Sequence, residues 1–149
     1  MLLRELGLAS AAAQDVATPV AIAPTTAGCF VDSDGVPAEP WVRSELFFGT
    51  TKPDGAAYTN EEWLQFLADE VTPRFPDGLT VLTGLGQWRE SATSQTVQER
   101  SNVLIILYPP AGAQESSVKL EAIRDAYEQQ FNQTSVLRAD DGTPVCTSF

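Results

Sequence analysis

The segment "TVQERSNVLIILYPP", residues 96–110, limits the architectures open to this chain more than any other. Pro109 and Pro110 lack the backbone donors that a strand needs and bring it to a stop. Upstream of them, Val103 to Leu107 is apolar on both of its alternating faces. Such a strand belongs in the centre of a sheet, covered on both sides. The rest of the chain must supply the strands that flank it and the helices that cover it.

Those elements follow from local patterns. "WVRSELFFGT", residues 41–50, is aromatic and β-branched, partly alternating, and stops at Gly49 before the turn-forming "TKPDG"; it reads as the first strand. Thr59 followed by Glu62 fits a capping box, and Trp63, Phe66, Leu67 and Val71 recur at helical spacing, which predicts a helix from about Asn60 to Val71. Pro73 disfavours the α region at Thr72, so the chain leaves the helix there and crosses "PRFPDG" into a second strand, Leu79 to Arg89. After the polar turn "ESATSQ" and the third strand, Leu120, Ile123, Tyr127 and Phe131 line one side of a second helix, with Glu115 near its positive end. "TSVLRADDGTPVCTSF" supplies a final strand with a turn or bulge at "DDG".

The order β-α-β-β-α-β is that of the α+β, ferredoxin-like split βαβ sandwich: a four-stranded antiparallel sheet with two helices on one face. Residues 29–149 form that single domain, a reasonable size for one core. The first 28 residues are rich in Ala, Thr and Pro without periodicity and read as a degenerate signal or a disordered segment. Ala11 to Ala13 before Gln14 and Asp15 look like the end of a secretory signal whose apolar region is broken by Arg4 and Glu5. "TAGC", Thr26 to Cys29, is a weak lipoprotein site. The expected location is periplasmic or extracytoplasmic, the alternative a cytoplasmic protein with a disordered tail. No segment approaches the ~20 apolar residues that span a bilayer.

Charge and composition remove whole classes of function. Nine basic residues against twenty acidic give a net charge of −11, which repels nucleic acid. The absence of histidine excludes Ser-His catalysis and histidine metal sites. The two cysteines form no C-x-x-C pair, so no metal and no cofactor is expected. In the predicted fold the last strand lies beside the first, which brings Cys146 toward Cys29; in an oxidising compartment they would form a disulfide.

"WVRSELFFG", "EEWLQFLADEVTPRFPDGLTVLTGLGQWR", "ERSNVLIILYP" and "VCTSF" resemble the bacterial family known as domain of unknown function 3574. The resemblance covers about Cys29 to Phe149. It implies a small protein of a kind that often carries an export or lipoprotein signal, and it brings no activity with it.

Candidate site residues therefore come from the chain itself. Arg43, Arg74, Arg89 and Arg100, with Glu45, Glu99 and the ring of Trp88, are expected near one end of the sheet, where arginines would hold a small anion. Internal ion pairing, Arg74 with Glu70 or Asp77 for example, is the plainer alternative. Pro73 and Pro76 stiffen the segment around Arg74, which suits it to meet an anion beside Trp88 and Arg89. Two functions are in view. One is a non-catalytic ligand-binding or interaction module of the cell envelope, a homodimer through the open sheet face. The other is a small dimeric α+β-barrel enzyme acting on an anionic or aromatic metabolite, with Glu45 or Glu99 as base and Arg74 or Arg89 holding the developing charge.

Overall fold

The structure, a computed structural model, describes residues 28–52 and 54–149. The expected signal or disordered segment lies, apart from Gly28, outside the described residues. The strands are β1 (Glu39–Gly49), β2 (Thr80–Arg89), β3 (Thr96–Tyr108), β4 (Leu137–Asp140) and β5 (Val145–Thr147); the helices are α1 (Asn60–Phe66) and α2 (Ala113–Phe131). All pairings are antiparallel and the sheet runs β2-β3-β1-β4, with β5 on the N-terminal part of β1.

One expectation is corrected here: the sheet has five strands, not four. The last predicted strand is split at "DDGTP". Asp141 donates its N–H to the Arg43 carbonyl at 3.0 Å, and Pro144, with no N–H, cannot continue the ladder. The chain loops out and rejoins β1 three residues further along, so β4 pairs with Ser44–Phe47 and β5 with Glu39–Trp41. That return places Cys146 opposite Pro40 and completes a Cys29–Cys146 disulfide with Cα atoms 5.5 Å apart.

The first helix begins as expected. Thr59 accepts from the Glu62 N–H and Glu62 accepts from the Thr59 N–H, a complete capping box. From Leu67 to Val71 the helix widens into a π-helical turn, closed by the Thr72 N–H on the Leu67 carbonyl at 2.8 Å, before Pro73 ends it. The second helix ends at Asn132, whose left-handed backbone (φ 53°) turns the chain back toward the sheet.

Both helices cover the same face. Leu46 and Phe48 of β1 and Leu104, Ile106 and Tyr108 of β3 meet Trp63 and Phe66 of α1, Val71 after it, and Leu120, Ile123, Tyr127 and Phe131 of α2. Phe48 is fully buried, with its ring 4.6 Å from Tyr127 and 5.2 Å from Trp63. Aromatic pairs of this kind contribute about 0.5–1.5 kcal/mol each beyond burial. At the β4 edge the buried Ser44 hydroxyl bonds Asp140 and lies 2.8 Å from the Tyr108 hydroxyl, while Arg138 joins Asp140 to Glu121 of α2.

The sheet's other face is uncovered in the single copy, so the burial expected on the second side of β3 is not supplied within the domain. Leu104 and Ile106 are fully buried, but Val103 and Ile105 are only half-buried and Leu107 is 38% exposed. Two helices cover one face of a sheet this size and no more.

Candidate ligand-binding cleft

The seven charged and aromatic residues expected to gather do not. Alternation along β3 sends Glu99 to the open face and Arg100 to the helix side. Arg43 pairs with Glu45 on the open face, opposite Leu107 and Ile105 near the far end of β3. Trp88 and Arg89 lie opposite Val97 and Thr96 at the tip of the β2–β3 hairpin, where Trp88 is half exposed. Arg74 precedes β2, and at roughly 3.3 Å per residue the ten residues of that strand hold it on the order of 30 Å from its end. It pairs with Glu70 at 2.8 Å and also donates to the Glu70 carbonyl. Glu99 accepts from the Thr51 N–H at 3.0 Å and packs over Gly49, where an added Cβ would lie 2.9 Å from its carboxylate.

Of the seven, Arg100 lines a cleft. On the helix side, where β1 ends and β3 continues with β2 alone, a cleft of about 330 Å³ opens between the sheet and the start of α1. Thr50, Thr83, Arg100 and Asn102 come from the strands and their ends; Ala57, Tyr58, Asn60 and Trp63 come from the loop and the first turn of α1. The loop is held in place by Tyr58 N–H on the Thr50 carbonyl at 3.1 Å and by Lys52 on Glu62 at 3.0 Å.

The cleft's polar groups form a directed chain. The Thr83 hydroxyl donates to Asn102 Oδ1, and Asn102 Nδ2 donates to the Tyr58 hydroxyl, each at 2.8 Å. Asn102 is thereby fixed in one amide orientation. Tyr127 lies edge-on to Tyr58 with ring centroids 6.0 Å apart, and its hydroxyl donates to the Gly49 carbonyl at 2.7 Å. Burial pushes both phenols above the ordinary tyrosine value, with the Glu99 carboxylate adding to the rise. They are neutral donors throughout the physiological range. Tyr58 and Trp63 stack at an interplanar angle of 21° with centroids 6.0 Å apart, giving the cleft an aromatic wall.

Arg100 is the one charged side chain on that wall, and it makes no ion pair among the described residues. The site is thus locally cationic in a chain of net charge −11. Every carboxylate whose pKa is displaced moves downward: Asp32, Glu62, Glu115 and Asp140. Among the described residues no three His, Cys, Asp or Glu side chains cluster as a metal ion would require.

Sequence reasoning missed Tyr58, Asn60, Trp63, Thr83 and Asn102. One signal for Asn102 was present. It shares the parity of Leu104, Ile106 and Tyr108, and a polar residue on a core-facing register needs a partner.

Fold and cleft together define a small α+β domain with a cationic, aromatic-walled recess on the helix side of its sheet. Residues 43–149 match the family described as "Protein of unknown function (DUF3574)", and the chain belongs to that family. No curated protein matches it. Among solved structures it is similar to a phage SAM lyase in complex with S-methyl-5'-thioadenosine, with a TM-score of 0.58 and 19% identity over 73% of this chain and 86% of that one. A phage SAM lyase in the apo state gives a TM-score of 0.51 and 19% identity over 72% and 84%. At such identity the likeness is one of fold.

Proposed function

We propose that this protein is a non-catalytic ligand-binding module of the bacterial cell envelope, and that its cleft takes a small anion with a flat or apolar body. The observation that carries the reading is Arg100: a guanidinium free of any ion pair among the described residues, on a wall otherwise made of neutral donors and two stacked rings. Guanidinium suits carboxylate and phosphate geometry. The volume lies at the lower end of small-molecule sites. None of the cleft's lining residues is a carboxylate, so it offers no acid or base of that type.

The β-α-β-β-α-β order with sheet order β2-β3-β1-β4 supports a ferredoxin-like sandwich to which β5 is an addition. The disulfide supports an extracytoplasmic location, since such bonds persist in oxidising compartments. It also engages the Cys29 sulfur that a lipid anchor would need. No helix among the described residues is long and apolar enough to cross a membrane.

The enzyme reading, a small dimeric catalyst acting on an anionic or aromatic metabolite, has one observation in its favour: the fold's likeness to a lyase solved with a nucleoside thioether. A single screen addresses both. Thermal shifts are measured with small carboxylates, small phosphates and uncharged S-methyl-5'-thioadenosine, on wild type and Arg100→Gln. A ligand at about 100 times its Kd adds about 2.7 kcal/mol of stability. The binding reading expects an anion to stabilise the wild type and not the variant. It fails if no anion does so or if the variant responds equally. Stabilisation by the thioether alone favours the enzyme reading.

A further inference from the structure

We infer that the uncovered face of the sheet is the interface of a two-fold symmetric homodimer, with Arg43 of one copy diagonal to Glu99 of the second. The inference is independent of the ligand in the cleft, which lies on the opposite side of the sheet.

The registers define the face row by row. Leu137, Phe47, Val103 and Leu82 stand directly opposite one another across β4, β1, β3 and β2, an apolar row spanning four strands. Leu137 is 63% and Leu82 53% exposed. Toward one end follow Glu45 and Ile105, then Arg43 and Leu107. Toward the other end follow Gly49, Ser101 and Gly84, then Glu99 and Gly86. Added Cβ atoms would meet nothing within 4 Å at Gly84 and only ordinary contacts at Gly86, so nothing inside the domain requires small residues at these two positions.

A second copy supplies that requirement. A two-fold axis along the apolar row stacks the row on itself and inverts the direction along the strands. The bulky Glu45 and Ile105 of one copy then face the small Gly49, Ser101 and Gly84 of the other. Glu99 and Leu107 lie four residues to either side of Val103 on β3, so the same axis sets Glu99 of one copy over Leu107 of the other, with Arg43 on the adjacent strand about 5 Å to the side, within reach of its long side chain. The Arg43 side chain is 38% exposed beside its Glu45 partner, and Glu99 uses Oε2 for the Thr51 N–H, leaving Oε1 for the second copy. Charge selects the occupant as well. With a net charge of −11 two copies repel over most of their surface, whereas on its two central strands this face carries Glu39 at the far end of β1, Arg43, Glu45 and Glu99, and pairs Arg43 with Glu45 of the same copy. An apolar centre with charged pairs toward the rim is the usual anatomy of an interface.

Sedimentation equilibrium on the full chain tests this, over low to high micromolar concentrations. The wild type should sediment at twice the mass of the chain. Leu82→Asp, at a position already exposed in the single copy, should weaken association at least tenfold with its circular dichroism unchanged. Arg43→Glu and Glu99→Arg should each weaken it, and the double variant should recover at least part of the loss. A monomeric or trimeric wild type, an unaffected Leu82→Asp, or a double variant weaker than both singles would overturn the inference.

Discussion

Asn102 Nδ2 donates to the Tyr58 hydroxyl at 2.8 Å, joining the centre of β3 to the loop that leads into α1. Thr83 holds the other end of the same amide. This pair fixes the floor of the cleft to its wall, so its loss should be felt both in stability and in binding.

Asn102 is 6% exposed and Tyr58 8%. Asn102→Leu should therefore cost about 1–3 kcal/mol by leaving the Thr83 and Tyr58 hydroxyls without their partner. Urea unfolding of the purified variant provides the number. A change below about 0.5 kcal/mol would mean that water replaces the amide and that the chain of bonds does not organise the cleft.

The disulfide closes a separation of 117 residues. In the chain-entropy account a loop of that size contributes up to about 4–5 kcal/mol. Cys146→Ser should lower the urea midpoint accordingly. In native, non-reduced protein neither thiol should react with an alkylating agent; two labelled cysteines before reduction would refute the bond.

Arg74→Ala should be close to silent. The guanidinium is about a third exposed and its partners are Glu70 and the Glu70 carbonyl, within one helical turn. Partly exposed pairs of this type contribute about 0–1 kcal/mol. Stability should fall by no more than that, and any anion that stabilises the wild type should stabilise Arg74→Ala by the same amount. Selective loss of the anion's effect in this variant would return Arg74 to the site.

Acid should unfold the protein through carboxylates held below their ordinary values. The Thr59 N–H and Lys52 lower Glu62 from 4.5. At Asp140 burial acts upward, and Ser44 and Arg138 outweigh it to lower the group from 3.8. A folded pKa below the unfolded one gives stability that is complete above the unfolded value and is lost as pH falls through the folded one. Stability should be level down to about pH 5 and decline below the ordinary value of 4.5. Glu62→Gln should be less stable at neutral pH and show a shallower decline; an unchanged acid profile would remove Glu62 from this account.

Much of the fold was legible because its signals are local. Two prolines end β3, Thr59 and Glu62 cap α1, and the parity of Leu46 and Phe48 against Arg43 and Glu45 tells which side of β1 the helices cover. The split of the last strand was half legible: "DDG" marked a turn, but only the pairing with β1 shows that Pro144 makes two strands of it. The site was the least legible part. Four arginines in an acidic chain can be counted, but the count carries neither face nor register, and alternation alone separates Glu99 from Arg100. Tyr58 and Asn102 are 44 residues apart, and nothing short of the folded loop brings them into contact.

The central claim is that Arg100 and its neutral neighbours form a binding site. Amide chemical-shift mapping tests it most directly, by titrating the uniformly labelled wild type with the anion that most raises its melting temperature. The account predicts perturbations concentrated at Thr50, Tyr58, Asn60, Thr83, Arg100 and Asn102, abolished by Arg100→Gln. Perturbations centred instead on Arg43 and Glu45, or on Trp88 and Arg89 at the hairpin tip, would contradict it.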